Sequence, residues 1–131
     1  GHWPSSGEVD VMEHVGWKPK GTVHAGVHTR TSNHRDKTHR TSATVVDDAH
    51  DAFHVYALVW RPDRMDVFVD GDLVHTVLRS EEGDWPFDKR FYLLLNVAVG
   101  GKWAGKHGID EEAFPATLEV AYVRVYRERG S

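Results

Sequence analysis

Three carboxylates fall within six residues in Gly7-Glu8-Val9-Asp10-Val11-Met12-Glu13-His14, interleaved with apolar side chains. On a regular strand, Glu8, Asp10 and Met12 share one face and Glu13 lies on the other. One extra residue near Val11-Met12, a β-bulge, carries every later side chain across and brings Glu13 round to join Glu8 and Asp10. Glu8 and Glu13 are then roughly 13 Å apart at Cα, at about 3.3 Å per residue. Side chains leaning together can close that to the roughly 5 Å at which a carboxylate nucleophile and a carboxylic acid cleave a glycosidic bond with retention. A solvated strand face that simply carries its charges is the competing reading.

The elements that must position these acids are short and punctuated by turn residues. Residues 1–7 are a Pro/Ser/Gly lead-in, and Gly16 to Gly21 form a loop rich in breakers. Strands are expected at Glu8 to Val15, Thr22 to Thr29, Ser42 to Val46, Phe53 to Trp60, Met65 to Val69 and Leu73 to Leu78. Asp70-Gly71 is the strongest hairpin signal. Arg30 to Arg40 reads as an exposed loop, Arg79 to Lys89 as a connection with room for a helical turn, and Gly100 to Ala113 as a long loop. Phe91 to Val99 is the most continuously apolar run and predicts a strand buried on both faces. Thr117 to Tyr126 alternates cleanly and predicts another. About eight short strands make an all-β, antiparallel β-sandwich in a single domain, 1–131, the expected architecture.

Composition narrows the function classes. Hydrophobic content of 40% and charged content of 27% are ordinary for a globular chain. A net charge of -4 with no basic stripe points to no nucleic-acid partner. No stretch reads as a signal peptide or approaches the roughly 18 apolar residues of a membrane span, so no membrane association is expected. With no cysteine, the redox compartment is not legible. The ten histidines raise metal binding. His24 and His28 share a strand face but lie roughly 13 Å apart at Cα, too far to clamp one zinc unaided. His34 and His39 belong to a polar loop, and the expectation is scattered surface histidines with no metal site. His14 either supports Glu13 or points to the opposite face.

Trp3-Pro4-Ser5-Ser6-Gly7-Glu8-Val9-Asp10-Val11-Met12-Glu13-His14-Val15-Gly16 resembles the active-site strand of glycoside hydrolase family 16, laminarinase-like branch, with its Glu-x-Asp-x-x-Glu pattern. Phe53 to Trp60 with Val69-Asp70-Gly71, Pro86 to Trp103 with its Gly-Gly-x-Trp, and Phe114-Pro115 with Val120 to Tyr126 are similar to later segments of the family, in the same order. The resemblance implies a concanavalin A-like jelly roll whose concave sheet holds sugar, Glu8 as nucleophile, Glu13 as general acid/base and Asp10 as their intermediary. It also implies stacking or polar sugar contacts at Trp103, Trp3, His28 and Asn33. Asn96 is either aimed into the cleft by alternation or a buried amide satisfied by backbone.

The implied substrate is β-1,3-glucan, with mixed-linkage glucan or β-linked galactans as the nearest substitutes, and the implied location is extracellular. Family members commonly carry a calcium-binding acid where Ala121 stands, so structural calcium is doubtful and no cofactor is required. Val59 likewise replaces an acid that is common in the family. The chain resembles the C-terminal half of such a domain, apparently truncated at the N-terminus, which predicts a homodimer or a complementing N-terminal half to cover its sheet edges. An inactive fragment or carbohydrate-binding sandwich that keeps the motif is the reading from another class.

Overall fold

The computed structural model describes residues 1–128. These fall into two compact units, Gly1–Tyr92 and a second from Leu93 onward. The first unit carries six strands: β1 (Glu8–Glu13), β2 (Thr22–His28), β3 (Arg40–Val45), β4 (Tyr56–Trp60), β5 (Arg64–Val69) and β6 (Asp72–Leu78). They form two antiparallel three-stranded sheets, ordered β1-β2-β3 and β4-β5-β6. Short 3₁₀ turns at Arg79–Glu81 and Pro86–Asp88 occupy the charged connection after β6.

Period-two patterning explains both sheets. In β2, Val23, Ala25 and Val27 are buried while His24 and His28 take the opposite face. In β5, Met65, Val67 and Val69 do the same. Val27 meets Met65, Val77 and Phe87 in one core cluster, flanked by Val9, Leu58, Trp85 and Phe91. The two sheets are thus held by apolar side chains that each contribute about 1.5–3 kcal/mol when fully buried. Ser42 Oγ adds a cross-sheet hydrogen bond to the Val74 carbonyl at 2.9 Å.

The Asp70-Gly71 turn joins β5 to β6 as a two-residue hairpin, with Val69 opposite Asp72. Both turn residues have positive φ, 51° and 94°, as a type I′ turn requires. The Asp70 carboxylate also accepts from Val55 N–H at 2.8 Å and faces His54 Nδ1 at 2.6 Å, tying the approach to β4 onto this hairpin.

The second unit departs from expectation. Residues 93–99 and 117–126 form no strand, and the apolar run is exposed rather than buried: Leu94 is 76% and Val125 84% accessible. Alternation and hydrophobicity specify which face a strand would bury, but a strand exists only once a neighbour accepts its backbone hydrogen bonds. Among the described residues none pairs with either segment. The loop between them is turn-rich and ends in a 3₁₀ turn at Glu111–Ala113, capped by Asp110.

Candidate active site

Glu8, Asp10 and Glu13 share one face of β1 because the strand carries one residue more than its partner. Glu8 lies opposite His28 and Asp10 opposite Gly26, but Glu13 lies opposite His24. Two residues, Val11 and Met12, therefore face the single Ala25. Residues directly opposite share a face, so the three acids stand over the His24, Gly26, His28 side of β2, away from the core side of Val23, Ala25 and Val27.

Gly7 sets the entry to this strand. Its φ is +83°, and a Cβ there would lie 2.8 Å from Pro86 Cγ and 3.0 Å from Phe91. The backbone before Glu8 is therefore seated directly on the Pro86-Phe87 turn, a closeness only glycine allows.

The side chains above the face form a polar cluster. Trp3 Nε1 donates to Glu8 Oε2 at 2.5 Å. His28 Nε2 lies 3.5 Å from Asp10 Oδ2, both side chains being 12% accessible. Burial, then the charges of Glu13 and Glu8, push the Asp10 carboxyl up to about 8, and its hydrogen bond to Glu8 acts in the same direction. Burial also lowers the His28 imidazole. Both groups are driven toward their neutral forms, so the contact is a carboxylic acid beside an imidazole rather than an ion pair. Burial first, then Glu8, raises the Glu13 carboxyl. A raised acid next to a carboxylate held by a neutral donor is the asymmetry that separates proton donor from nucleophile.

Around this face, His28 packs edge-on to His34 (5.2 Å) and stacked with His39 (5.4 Å), while Trp3 sits 4.9 Å from His34 and under Arg35. Trp3 and His28 thus adjoin the acids. Asn33 does not join them. It is 1% exposed, its amide nitrogen donates to the Thr29 and Arg30 carbonyls and to Asp36, and its oxygen accepts from Asp36 N–H. A side chain so enclosed holds the loop that carries His34 and Arg35, its hydrogen-bonding groups already engaged within that loop. Asn96 and Trp103 belong to the second unit, where Asn96 is exposed, not buried, and Trp103 is 39% accessible.

His14 turns away from Glu13: its Nδ1 bonds the Thr22 carbonyl at 2.7 Å and its Nε2 meets His50. His24 was missed as a neighbour of Glu13. The signal was available, since placing the bulge at Val11-Met12 sets His24 opposite Glu13 once β1 and β2 are paired.

A β-sheet face on which a bulge gathers three carboxyls beside an indole is an arrangement that two-carboxylate glycosidic chemistry can use. Residues 2–123 match the profile of Glycosyl hydrolases family 16. A beta-glucanase of Rhodothermus marinus is 48% identical over 133 residues, covering 96% of this chain and 46% of that protein. Glucan endo-1,3-beta-glucosidase A1 of Niallia circulans is 36% identical over 98% of this chain and 20% of its own length. The crystal structure of the laminarinase from Rhodothermus marinus superposes with a TM-score of 0.82 at 43% identity, covering 88% of this chain and 48% of that one. The chain belongs to glycosyl hydrolase family 16 and has its antiparallel jelly-roll fold, and it spans about half the length, or less, of these relatives.

Proposed function

We propose that this chain supplies the catalytic face of an endo-acting hydrolase of β-1,3-glucan, working by retaining double displacement. The observation that carries the reading is the one-residue bulge that turns Glu13 onto the face of Glu8 and Asp10. Glu8 attacks the anomeric carbon as the glycosidic C–O bond breaks, and Glu13, whose hold on a proton is strengthened by burial and then by Glu8, gives its proton to the leaving oxygen. Water then attacks the glycosyl-enzyme ester, Glu13 takes its proton, and Glu8 leaves as carboxylate. Trp3 and protonated Asp10 each donate to Glu8 and orient it.

Trp3 and Trp103 offer indole surfaces on which sugar rings stack, and His28 a polar contact. The reaction needs no cofactor, and Ala121, without a side-chain oxygen, does not fit a role as calcium ligand. A polymeric substrate that crosses no membrane favours an extracellular site of action. The exposed apolar side chains of residues 93–99 and 117–126 support a need for complementing strands, from an N-terminal half of the sandwich or from a second copy.

Reducing-sugar release from laminarin, compared with the Glu8→Gln and Glu13→Gln variants, tests this. Turnover lost in both supports the assignment. Glucan affinity without turnover, unchanged by Glu8→Gln, makes this a binding module instead.

A further inference from the structure

We infer that His14 and His50 form a two-histidine site for a divalent first-row transition cation. Their Nε2 atoms lie 2.9 Å apart, with ring centroids 4.6 Å apart and planes at 71°. The His14 tautomer is set by its other nitrogen. Nδ1 is 2.7 Å from the Thr22 carbonyl, which can only accept, so Nδ1 carries the hydrogen and Nε2 presents its lone pair. An imidazole whose remote N–H is anchored on a backbone carbonyl is the usual outer arrangement of a metal-bound histidine.

The spacing fits the same chemistry. Two imidazole nitrogens, each about 2.0–2.1 Å from one ion in adjacent positions of a square or octahedral site, as nickel or copper prefers, lie about 2.9 Å apart with centroids about 4.5 Å apart. A straight N–H···N hydrogen bond would align the two ring axes and hold the centroids about 5 Å or more apart.

His50 is exposed, in the turn after β3, where Ala49 N–H bonds the Val46 carbonyl at 3.0 Å and Asp51 N–H the Asp48 carbonyl at 2.8 Å. The neighbouring carboxylate of Asp51 is engaged by Lys20 at 2.7 Å, which leaves the remaining positions of the ion to water. Two side-chain ligands imply an open, exchangeable site. An ion there ties the residue following Glu13 to the turn at 46–51, and so braces the far end of the strand that carries the acids. It is separate from the Glu8, Asp10, His28 group, whose ligand atoms also lie within 4.8 Å of one another but which serves the proposed reaction.

Nickel chloride titrated into the protein, followed by calorimetry and by histidine ring NMR signals, tests the site. The first equivalent is expected to shift the His14 and His50 rings. His50→Ala is expected to weaken binding by about tenfold or more, with His39→Gln leaving it unchanged. Affinity within twofold of the parent in His50→Ala, loss of binding in Glu8→Gln instead, or an unshifted His14 ring at saturation would overturn the site.

Discussion

Trp3 Nε1 donates a 2.5 Å hydrogen bond to Glu8 Oε2, so the residue that leads into β1 grips the carboxylate at its start. A hydrogen bond to a charged acceptor contributes about 1.5–3 kcal/mol. Trp3→Phe keeps an aromatic surface and removes the donor. The expected result is a loss of about 10- to 100-fold in kcat on laminarin, with a smaller change in KM. A kcat within twofold of the parent would remove Trp3 from the machinery that orients the nucleophile.

Asp10 gives a pH signature. Its carboxyl is raised from 3.8 to about 8 by burial, then by Glu13 and Glu8. The folded state therefore binds the proton more tightly than the unfolded chain, and between about 3.8 and 8 stability falls as pH rises. Asp10→Asn keeps an N–H donor toward Glu8 without the titration. Thermal melts across that window should show a flatter pH dependence in the variant, with a higher Tm than the parent above pH 8. Parallel curves would mean that Asp10 is ionised in the folded protein.

His54 provides a second linkage of the same sign, beginning at higher pH. Its hydrogen bond to Asp70 raises its pKa against the effect of burial, with Asp48 at 3.3 Å assisting. The stabilisation is fully present below the unfolded value of about 6.5 and is lost as pH rises through the raised folded value. Asp70 is lowered by the same bond and by Val55 N–H, so its share is lost as pH falls through its own depressed value. His54→Gln should make the fall in Tm on the alkaline side of 6.5 shallower, leaving the part that belongs to Asp10. A variant whose Tm declines there as steeply as the parent's would place the titration elsewhere.

Gly7→Ala tests the seat of the active-site strand. The new methyl must occupy a left-handed backbone (φ +83°) and meet Pro86 Cγ at 2.8 Å. The backbone alone costs about 1–3 kcal/mol. Denaturant melts should show a destabilisation of at least that size, and laminarin turnover should fall further than the remaining folded fraction accounts for. A Tm equal to the parent's would show that the Pro86-Phe87 turn yields freely.

Much of the site is legible in the chain. The spacing Glu8-x-Asp10-x-x-Glu13 is uninterpretable on a regular strand and becomes one face with a single bulge, which is where the register of β1 on β2 shifts. Asp70-Gly71 forms its hairpin because positive φ at two successive positions is a local requirement that local residue types meet. The odd positions of β2 and β5 reach the core for the same reason, since side-chain direction on a strand needs no distant information. Such features depend on neighbours in sequence, and the sequence alone determines them.

What tertiary structure decided depends on partners. Phe91 to Val99 and Thr117 to Tyr126 have the composition and periodicity of strands, yet strand formation is a property of a pair, and in the described residues neither finds its neighbour. Asn33 reads as a polar loop residue until the loop closes around its amide and spends each of its hydrogen bonds internally. His14 and His50 are far apart in the chain, and only the folding of β1, β2 and β3 into one sheet brings their Nε2 atoms to 2.9 Å. The upward shifts of Asp10 and Glu13 likewise come from burial and from neighbouring carboxylates, Glu13 and Glu8 for the first and Glu8 for the second, which are brought together only in the folded protein.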